Sequence, residues 1–381
     1  MRNFGLAAAI LLCGGSDALA DAAKIVHGAT AAKIDAVLAA AVPSGFGGAV
    51  LVEKNGEIVL KAGYGMADRE AKIPFTVDTI AQIGSITKSM TAIAILQLAE
   101  AGKLDLKARA KTYLPGAAEP AGSATLHLLL THHAGLADTC GDDFDSVSKA
   151  DLLHRCMAIA LAHPAGEDHY SNMAYSILAA IVEQVSGERW QDYLRAHVWA
   201  PLAMTRTGFD SFPGTKPEDF AKGYLNDKMQ PVISGEIAKL GGNDWNIKGN
   251  GGIQASTMDM ERYWRGLTRQ VPAISAFVIA GMTTPQEHLD GEAWEGYGLA
   301  VRLDANGKPY RIGFAGSDGT FFSYFGMLPT RAVFVYLVGN NGEDKVKPLV
   351  SATLKTVLTD EGLMPAAPAP PAAAGAGTTQ H

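Results

Sequence analysis

The spacing of apolar residues along the first part of the chain changes from helical to strand-like. Residues 31–42 are Ala-rich and carry apolar side chains on one helical face, which predicts an amphipathic helix. Two β-rich runs, 49–54 and 57–61, then flank Asn55-Gly56, and this pair between such runs is typical of a hairpin turn. The beginning of the chain therefore predicts a helix followed by a β-hairpin.

The middle of the chain has helical spacing, and two of its predicted helices end at a glycine. Residues 86–101 precede Gly102 and residues 173–186 precede Gly187; glycine just after a helix is typical of its C-terminal cap. Shorter helical patterns occupy 149–161 and 258–268.

Strand patterns return near the end of the chain, at 297–303, 321–328 and 331–338, before a final amphipathic helix at 346–358. Strands at both ends with helices between them predict an α+β fold, in which both chain ends form an antiparallel sheet flanked by helices, with an inserted all-helical region. The expected boundaries within one domain, 21–364, are about 30–80 and 285–360 for the α/β part and about 85–280 for the helical part.

Composition argues against several classes of protein. The 381 residues carry a net charge of −7 and no basic stretch stands out, so nucleic acid is not an expected partner. After the N-terminal segment, no uncharged apolar run reaches the roughly 18 residues that a membrane-spanning helix needs. A mean hydropathy of +0.07 is typical of a globular enzyme. The expected partner is a small molecule, and the oligomeric state stays open.

The two ends of the chain have their own patterns. Arg2, the apolar residues 4–12 and Ala18-Leu19-Ala20 resemble a secretory signal, so we expect residues 1–20 to be removed on export to the periplasm. Acylation of Cys13, which would give a lipid anchor, and secretion are the alternatives. Residues 365–381 are almost all Ala, Pro, Gly and Thr, which predicts a disordered tail.

Export gives the two remaining cysteines a possible role. Cys140 and Cys156 lie 16 residues apart, and an oxidising compartment permits a disulfide between them. Two buried thiols are the alternative.

The densest candidate chemistry is the S-x-x-K segment Gly84-Ser85-Ile86-Thr87-Lys88, at the start of a predicted helix. Ser85 and Lys88 share one helix face, so the amine can reach the hydroxyl. An amine of lowered pKa activates a serine by taking its proton, and the first N–H groups of a helix favour developing negative charge. The pair alone is a weak signal, because a cap residue followed by a solvated lysine has the same spacing.

Two further segments carry candidate groups. In Tyr170-Ser171-Asn172 a phenol near an ammonium can act as a general base and an amide can hydrogen-bond a substrate carbonyl, although a core aromatic and a helix cap also fit. In the Gly-rich residues 313–319 an exposed N–H can complete an oxyanion hole, although a tight turn fits the same spacing. His, Cys and Asp residues crowd 127–143, but without the spacing of metal-binding motifs, so we expect neither metal nor organic cofactor.

Together these motifs resemble the serine β-lactamase/penicillin-binding-protein-like superfamily, nearest the branch of class C β-lactamases, D-peptidases and family VIII esterases. The resemblance runs from about residue 33 to residue 358. The matching segments, in chain order, are GYGMAD (63–68), IGSITKSMTAIAILQLAEAGKLDL (83–106), YLP (113–115), LLTH (129–132), YSNMAY (170–175), PLAM (201–204) and GGI (251–253).

The resemblance implies a β-lactamase/transpeptidase-like fold and a role for each candidate residue. Ser85 would be the acylated nucleophile, and Lys88 and Tyr170 would share the proton transfers, with Tyr170 as the favoured base towards water in deacylation. Asn172 would orient the substrate. The N–H groups of Ser85 and Ser317 would form the oxyanion hole.

One departure from the family pattern bears on the substrate. Phe314-Ala315-Gly316 stands where β-lactamases and D-peptidases of this family carry K-T-G or H-x-G. The missing basic group would weaken substrates that bear a carboxylate, since a charge-assisted hydrogen bond contributes roughly 1.5–3 kcal/mol. A basic residue elsewhere, such as Lys239, Lys248 or Arg311, could restore the charge in space.

The expected function is that of an exported serine hydrolase, most simply a carboxylesterase, with Phe314, Gly316 and Ser317 beside the substrate. A β-lactamase or D-amino-acid peptidase acting on lactams or short peptides is the enzymatic alternative. A penicillin-binding sensor-type module, acylated without turnover, is the alternative from another class of protein.

Overall fold

The computed structural model of the protein describes residues 24–268 and 271–363. The expected signal peptide over 1–20, the alternative acylation site Cys13 and the expected tail over 365–381 lie outside these ranges. In the described residues the strands are Ile25–Val26 (β1), Gly48–Lys54 (β2), Glu57–Tyr64 (β3), Met66–Asp68 (β4), Ile73–Pro74 (β5), Ile80–Gln82 (β6), Thr207–Gly208 (β7), Gly223–Leu225 (β8), Lys228–Gln230 (β9), Gln254–Ser256 (β10), Glu287–His288 (β11), Ala293–Glu295 (β12), Ala300–Leu303 (β13), Pro309–Ser317 (β14), Phe322–Leu328 (β15) and Val333–Gly339 (β16). The α-helices are Gly28–Ala41 (α1), Thr87–Glu100 (α2), Ala110–Tyr113 (α3), Leu126–Leu130 (α4), Lys149–Asp151 (α5), Asn172–Ser186 (α6), Trp190–Leu194 (α7), Ile233–Lys239 (α8), Thr257–Leu267 (α9), Ala276–Thr283 (α10) and Glu343–Asp360 (α11).

The largest sheet of the described chain is antiparallel and is built from both ends of the sequence. Its order is β1-β3-β2-β16-β15-β14-β13-β12-β11. The two ends meet where β2 pairs with β16, with Leu51 opposite Tyr336. Helices α2 to α10 come from the residues between the two groups of strands. This topology confirms the predicted α+β fold.

Both faces of the sheet are covered, and the burial pattern of β2 follows from that. Leu51 packs with the helices of the inserted region, whereas its neighbour Val50 packs with α1 and α11 on the opposite face. Successive side chains of a strand point to opposite faces, so a strand between two layers is apolar at every position. The residues of β2 from Gly48 to Val52 are accordingly apolar and buried.

Several local predictions are confirmed at the turns. Asn55 and Gly56 have φ angles of +54° and +83° between β2 and β3, the left-handed pair that a two-residue hairpin turn requires. Gly102 and Gly187 have φ angles of +70° and +78°, just after the ends of α2 and α6. Glycine adopts such angles without a steric penalty, so these helices end where the sequence predicts.

Other boundaries differ from the prediction for local reasons. The helix predicted over 149–161 consists of α5 and one π-helical segment, Leu152–Cys156, after which the chain turns. The strand predicted from 297 begins at Ala300, because Gly298 has a φ of +74°. The Gly-rich segment at 313–319 is not a tight turn throughout: residues 313–317 belong to β14.

Cys140 and Cys156 form a disulfide with a Cα–Cα distance of 5.4 Å. It closes a loop that begins just after Asp138 and includes α5, so it ties this loop to the helical region. None of the helices described in the structure is long and apolar enough to cross a membrane.

The disulfide predicts a labelling pattern. Iodoacetamide should add to neither Cys140 nor Cys156 in denatured, unreduced protein, and to both after reduction, as read by peptide mass mapping. Loss of the bridge should also lower the free energy of unfolding by about 3 kcal/mol for a loop of this size. Two adducts before reduction would exclude the bridge.

Candidate active site

Ser85 lies in a single 3₁₀ turn, Gly84–Ile86, that leads directly into α2. A β-carbon on Gly84, whose φ is +52°, would lie 2.5 Å from the backbone nitrogen of Ser317 on β14. A β-carbon on Gly316 would lie 1.9 Å from the carbonyl oxygen of Ile83 and 2.9 Å from the backbone nitrogen of Ser85. The two glycines therefore let the turn and the strand approach so closely that Ser85 and Ser317 line one small recess.

The Ser85 hydroxyl lies between an amine and a phenol. Its Oγ is 3.1 Å from Lys88 Nζ and 2.8 Å from Tyr170 Oη. Lys88 has no exposed surface, and its Nζ also donates to Asn172 Oδ1 at 2.6 Å and to the carbonyl oxygen of Asn250 at 3.0 Å. A neutral amine has two hydrogens and one lone pair. With both hydrogens on Asn172 and Asn250, the lone pair is left for the proton of Ser85.

Burial favours the neutral amine. It lowers the pKa of Lys88 to about 7, although the carboxylates of Asp138 and Asp143 act in the opposite direction. At neutral pH a large fraction of the amine is therefore unprotonated, which is the form that can accept a proton from Ser85.

Tyr170 is a phenol rather than a phenolate in this arrangement. Burial raises its pKa by more than the hydrogen bond with Ser85 lowers it. Its ring stacks on the imidazole of His132 with a centroid distance of 4.5 Å. Burial also lowers the pKa of His132 to about 3, so this imidazole is neutral and accepts the Ser171 N–H through Nδ1. The general-base role expected for Tyr170 thus requires an ammonium at Lys88 to stabilise the phenolate.

Two residues that the sequence did not single out hold this arrangement in place. Asp138 Oδ1 accepts both the backbone N–H and the side-chain amide of Asn172, each at 3.0 Å, which turns the amide oxygen of Asn172 towards Lys88. Asn250 supplies its carbonyl oxygen to Lys88, and its side chain donates to Ser176 and to the carbonyl oxygen of Asn246. The helix cap of α6 is Ser171 rather than Asn172.

A cleft of about 600 Å³ opens in front of Ser85. The predicted residues Tyr170, Asn172, Phe314, Gly316 and Ser317 all line it. A smaller recess of about 50 Å³ lies next to Ser85 and is lined in part by Gln82, Asp143 and Asp318.

The structure also places the three basic residues named as substitutes for the missing cation. Lys248 is buried against Asp244, with 3.0 Å between Nζ and Oδ1, and Lys239 pairs with Glu236. Neither lines the cleft, whereas Arg311 does. Among the residues that the structure describes, no group of three His, Cys, Asp or Glu side chains is placed to hold a metal ion.

Known proteins resemble this chain in sequence and in structure. A family model described as Beta-lactamase matches residues 35–355. PbpX of Bacillus subtilis (strain 168) is 34% identical over 224 residues, 58% of this chain and 55% of PbpX. Esterase EstB of Burkholderia gladioli is 31% identical over 226 residues, 53% of this chain and 56% of EstB. The chain thus spans about half the length of these relatives.

A solved structure extends the likeness over most of the fold. The octameric penicillin-binding protein homologue from Pyrococcus abyssi superimposes with a TM-score of 0.74 at 27% identity, over 86% of this chain and 77% of that one.

The pKa of Lys88 predicts the pH dependence of any reaction at Ser85. With p-nitrophenyl acetate, kcat/KM should rise with pH to a plateau, with its midpoint near the Lys88 pKa of about 7, because only the neutral amine accepts the serine proton. Steady-state rates between about pH 5 and about pH 9 test this. A profile that is flat across that range contradicts the proton-acceptor role.

The close contact between Gly316 and the Ser85 turn predicts that a side chain at position 316 lowers activity. Gly316→Ala should lower kcat/KM by about 100-fold or more, because its β-carbon must displace either Ile83 or the Ser85 turn. Gly235→Ala on α8 is the matched control, since a β-carbon there meets nothing within 4 Å. Equal activity of both variants would show that the contact between turn and strand is not needed.

Proposed function

Because the chain belongs to the beta-lactamase family, whose members are serine hydrolases, we propose that it hydrolyses carboxylic esters through an acyl-enzyme on Ser85. The observation that carries this proposal is the Ser85 hydroxyl between the buried amine of Lys88 and the phenol of Tyr170. This is the arrangement of an activated nucleophile, with a proton acceptor on one side and a proton donor on the other.

In the acylation step, Lys88 takes the proton of Ser85 while Oγ attacks the ester carbonyl. The backbone N–H groups of Ser85 and Ser317, two residues that line one recess, stabilise the oxyanion. Tyr170 donates its proton to the leaving alcohol as the ester C–O bond breaks. The step leaves an acylated serine, a Lys88 ammonium and a Tyr170 phenolate, with no net change in charge.

In the deacylation step, the Tyr170 phenolate takes a proton from water, and the hydroxide attacks the acyl carbon. Lys88 returns its proton to Ser85 Oγ as the acyl group departs as a carboxylic acid. The ammonium lies 4.8 Å from the centre of the Tyr170 ring, close enough to stabilise the phenolate between the two steps. This assigns Tyr170 as the base towards water only after Lys88 has been protonated.

The residues around Ser85 support esters over lactams and D-peptides. Phe314 lines the cleft where the family's lactam and D-peptide hydrolases have a basic group. The absence of that basic group weakens a substrate whose carboxylate lies next to the scissile bond, as in lactams and D-peptides, by about 10- to 150-fold. Esterase EstB, a relative by sequence, is named for ester hydrolysis. The recess of about 50 Å³ beside Ser85 favours short acyl groups such as acetyl or propionyl.

The location of the protein is part of the same proposal. We propose export to the periplasm, with removal of residues 1–20. The Cys140–Cys156 disulfide supports this, because disulfides persist in oxidising compartments.

One pair of substrates separates the proposed activity from its alternatives. The protein should hydrolyse p-nitrophenyl acetate over many turnovers and a chromogenic cephalosporin slowly. Ser85→Ala should abolish both reactions, and Lys88→Ala and Tyr170→Phe should each lower kcat by orders of magnitude. Ser234→Ala is the control, because Ser234 lies on α8 and lines neither the cleft nor the recess beside Ser85.

Each contrary result indicates a different mechanism or function. Turnover that survives Ser85→Ala rejects the acyl-enzyme mechanism. Fast cephalosporin hydrolysis replaces the esterase with a β-lactamase. A stable mass adduct without turnover on either substrate indicates a penicillin-binding sensor-type module.

A further inference from the structure

The cleft in front of Ser85 continues over an open strand edge. β13 begins at Ala300, which pairs with Gly313, so residues 314–317 of β14 have no β13 residue beside them. Residues from both faces of β14 therefore line the cleft that contains Ser85, and its lining extends to Arg302, Arg311 and Tyr324.

Arg311 lies on the face of β14 that points away from the Ser85 turn. Strand alternation puts Arg311, Gly313 and Ala315 on one face and Gly316, which touches the turn, on the other. Across the sheet, Arg302 is paired with Arg311 and Tyr324 is paired with Ala315. Because Gly313 has no side chain and Ala315 has a short one, the surface is depressed between the long side chains of the two arginines and Tyr324. We call this surface the arginine compartment, formed by Arg302, Arg311, Gly313, Ala315 and Tyr324.

The arginine compartment has an excess of positive charge. Two like charges directly opposite each other on neighbouring strands are destabilising unless an anion lies near them. Arg302 has one counter-charge, Glu292, at 3.5 Å. In the described part of the chain, no carboxylate forms an ion pair with Arg311, whose side chain hydrogen-bonds Tyr324. Lys347, also in the cleft, is balanced by Glu343 at 2.9 Å.

The opposite side of Ser85 offers no positive charge. Asp143 and Asp318 line the small recess, and although burial raises the pKa of both carboxyl groups, neither attracts a second carboxylate. Tyr170, the proposed proton donor to the leaving group, lines the cleft and is absent from the lining of the recess. Because Tyr170 is the proposed proton donor to the leaving group, we place the leaving group of an ester on the side of the arginine compartment and its acyl group in the recess.

We propose that the leaving group of the physiological ester carries a carboxylate, which binds Arg311 and Arg302 in the arginine compartment. This inference rests on the proposed ester hydrolysis. An arginine side chain binds a carboxylate through two parallel hydrogen bonds, which fixes both position and orientation. Tyr324 provides an aromatic wall for the body of the leaving group.

The geometry also sets the length of the leaving group. Arg311 lies five residues before Gly316 on β14, about 16 Å along an extended strand. Even when the length of the arginine side chain is included, a carboxylate attached close to the ester would not reach the guanidinium group of Arg311. An elongated leaving alcohol, with the carboxylate at its far end, fits the compartment.

The test uses two acetate esters that differ only in charge. One leaving group is 3-(4-hydroxyphenyl)propionate, and the other is its neutral amide. For the unmodified protein, kcat/KM should be at least about 10-fold higher for the carboxylate than for the amide. Arg311→Gln should bring this ratio close to one, and added salt should lower the ratio of the unmodified protein by screening.

Controls separate the failure of this inference from failure of the proposed function. Arg109→Gln, an exposed arginine of the helical region outside the cleft, should leave the ratio unchanged. Arg302→Gln, a second variant, should lower the ratio in the same direction as Arg311→Gln. If Ser85-dependent hydrolysis is equal for both esters, the inference is wrong and the esterase stands. If neither ester is hydrolysed in a Ser85-dependent way, the proposed function itself fails.

Discussion

The burial of one amine determines most of the arrangement around Ser85. An ammonium group removed from water is costly, and the protein reduces this cost by letting the pKa of Lys88 fall to about 7 and by giving the nitrogen three polar partners. Each partner comes from a different part of the chain: Ser85 from the turn before α2, Asn172 from the start of α6, and Asn250 from the segment before β10. The site exists because these three elements converge on a fully buried nitrogen.

Close backbone contacts make that convergence possible. Gly84 and Gly316 let β14 lie against the Ser85 turn. Gly249 plays the same part before Asn250: its φ is +89°, and a β-carbon there would lie 2.4 Å from the carbonyl oxygen of Tyr175. A side chain at any of these positions would push apart elements that must touch. Close packing at these glycines is therefore a condition for the chemistry at Lys88, because a shift of about 1 Å in either place is enough to separate the reacting groups.

The sequence predicts some parts of this site and not others for physical reasons. Ser85 and Lys88 are three residues apart on one helix, so their contact follows from helix geometry, and the partners Tyr170 and Asn172 follow from a family resemblance. Asp138 and Asn250 act through contacts 34 and 162 residues away in sequence, and no local pattern indicates them. Because the glycines of β14 have no side chains, the sequence pattern does not show which residues of this strand share a face. The position of Arg311 relative to Ser85 is consequently visible only once the strand, its register and its open edge are known.

The central claim is that the amine of Lys88 activates Ser85 for acylation, and trapping the acyl-enzyme tests it most directly. The protein would be mixed with p-nitrophenyl acetate, quenched in acid within the first turnover, digested and mapped by mass spectrometry. We expect one acetyl group on the peptide that contains Ser85, and none in Lys88→Ala protein quenched at the same time. An acetyl group on another residue, or equal labelling of Ser85 without Lys88, would contradict the account.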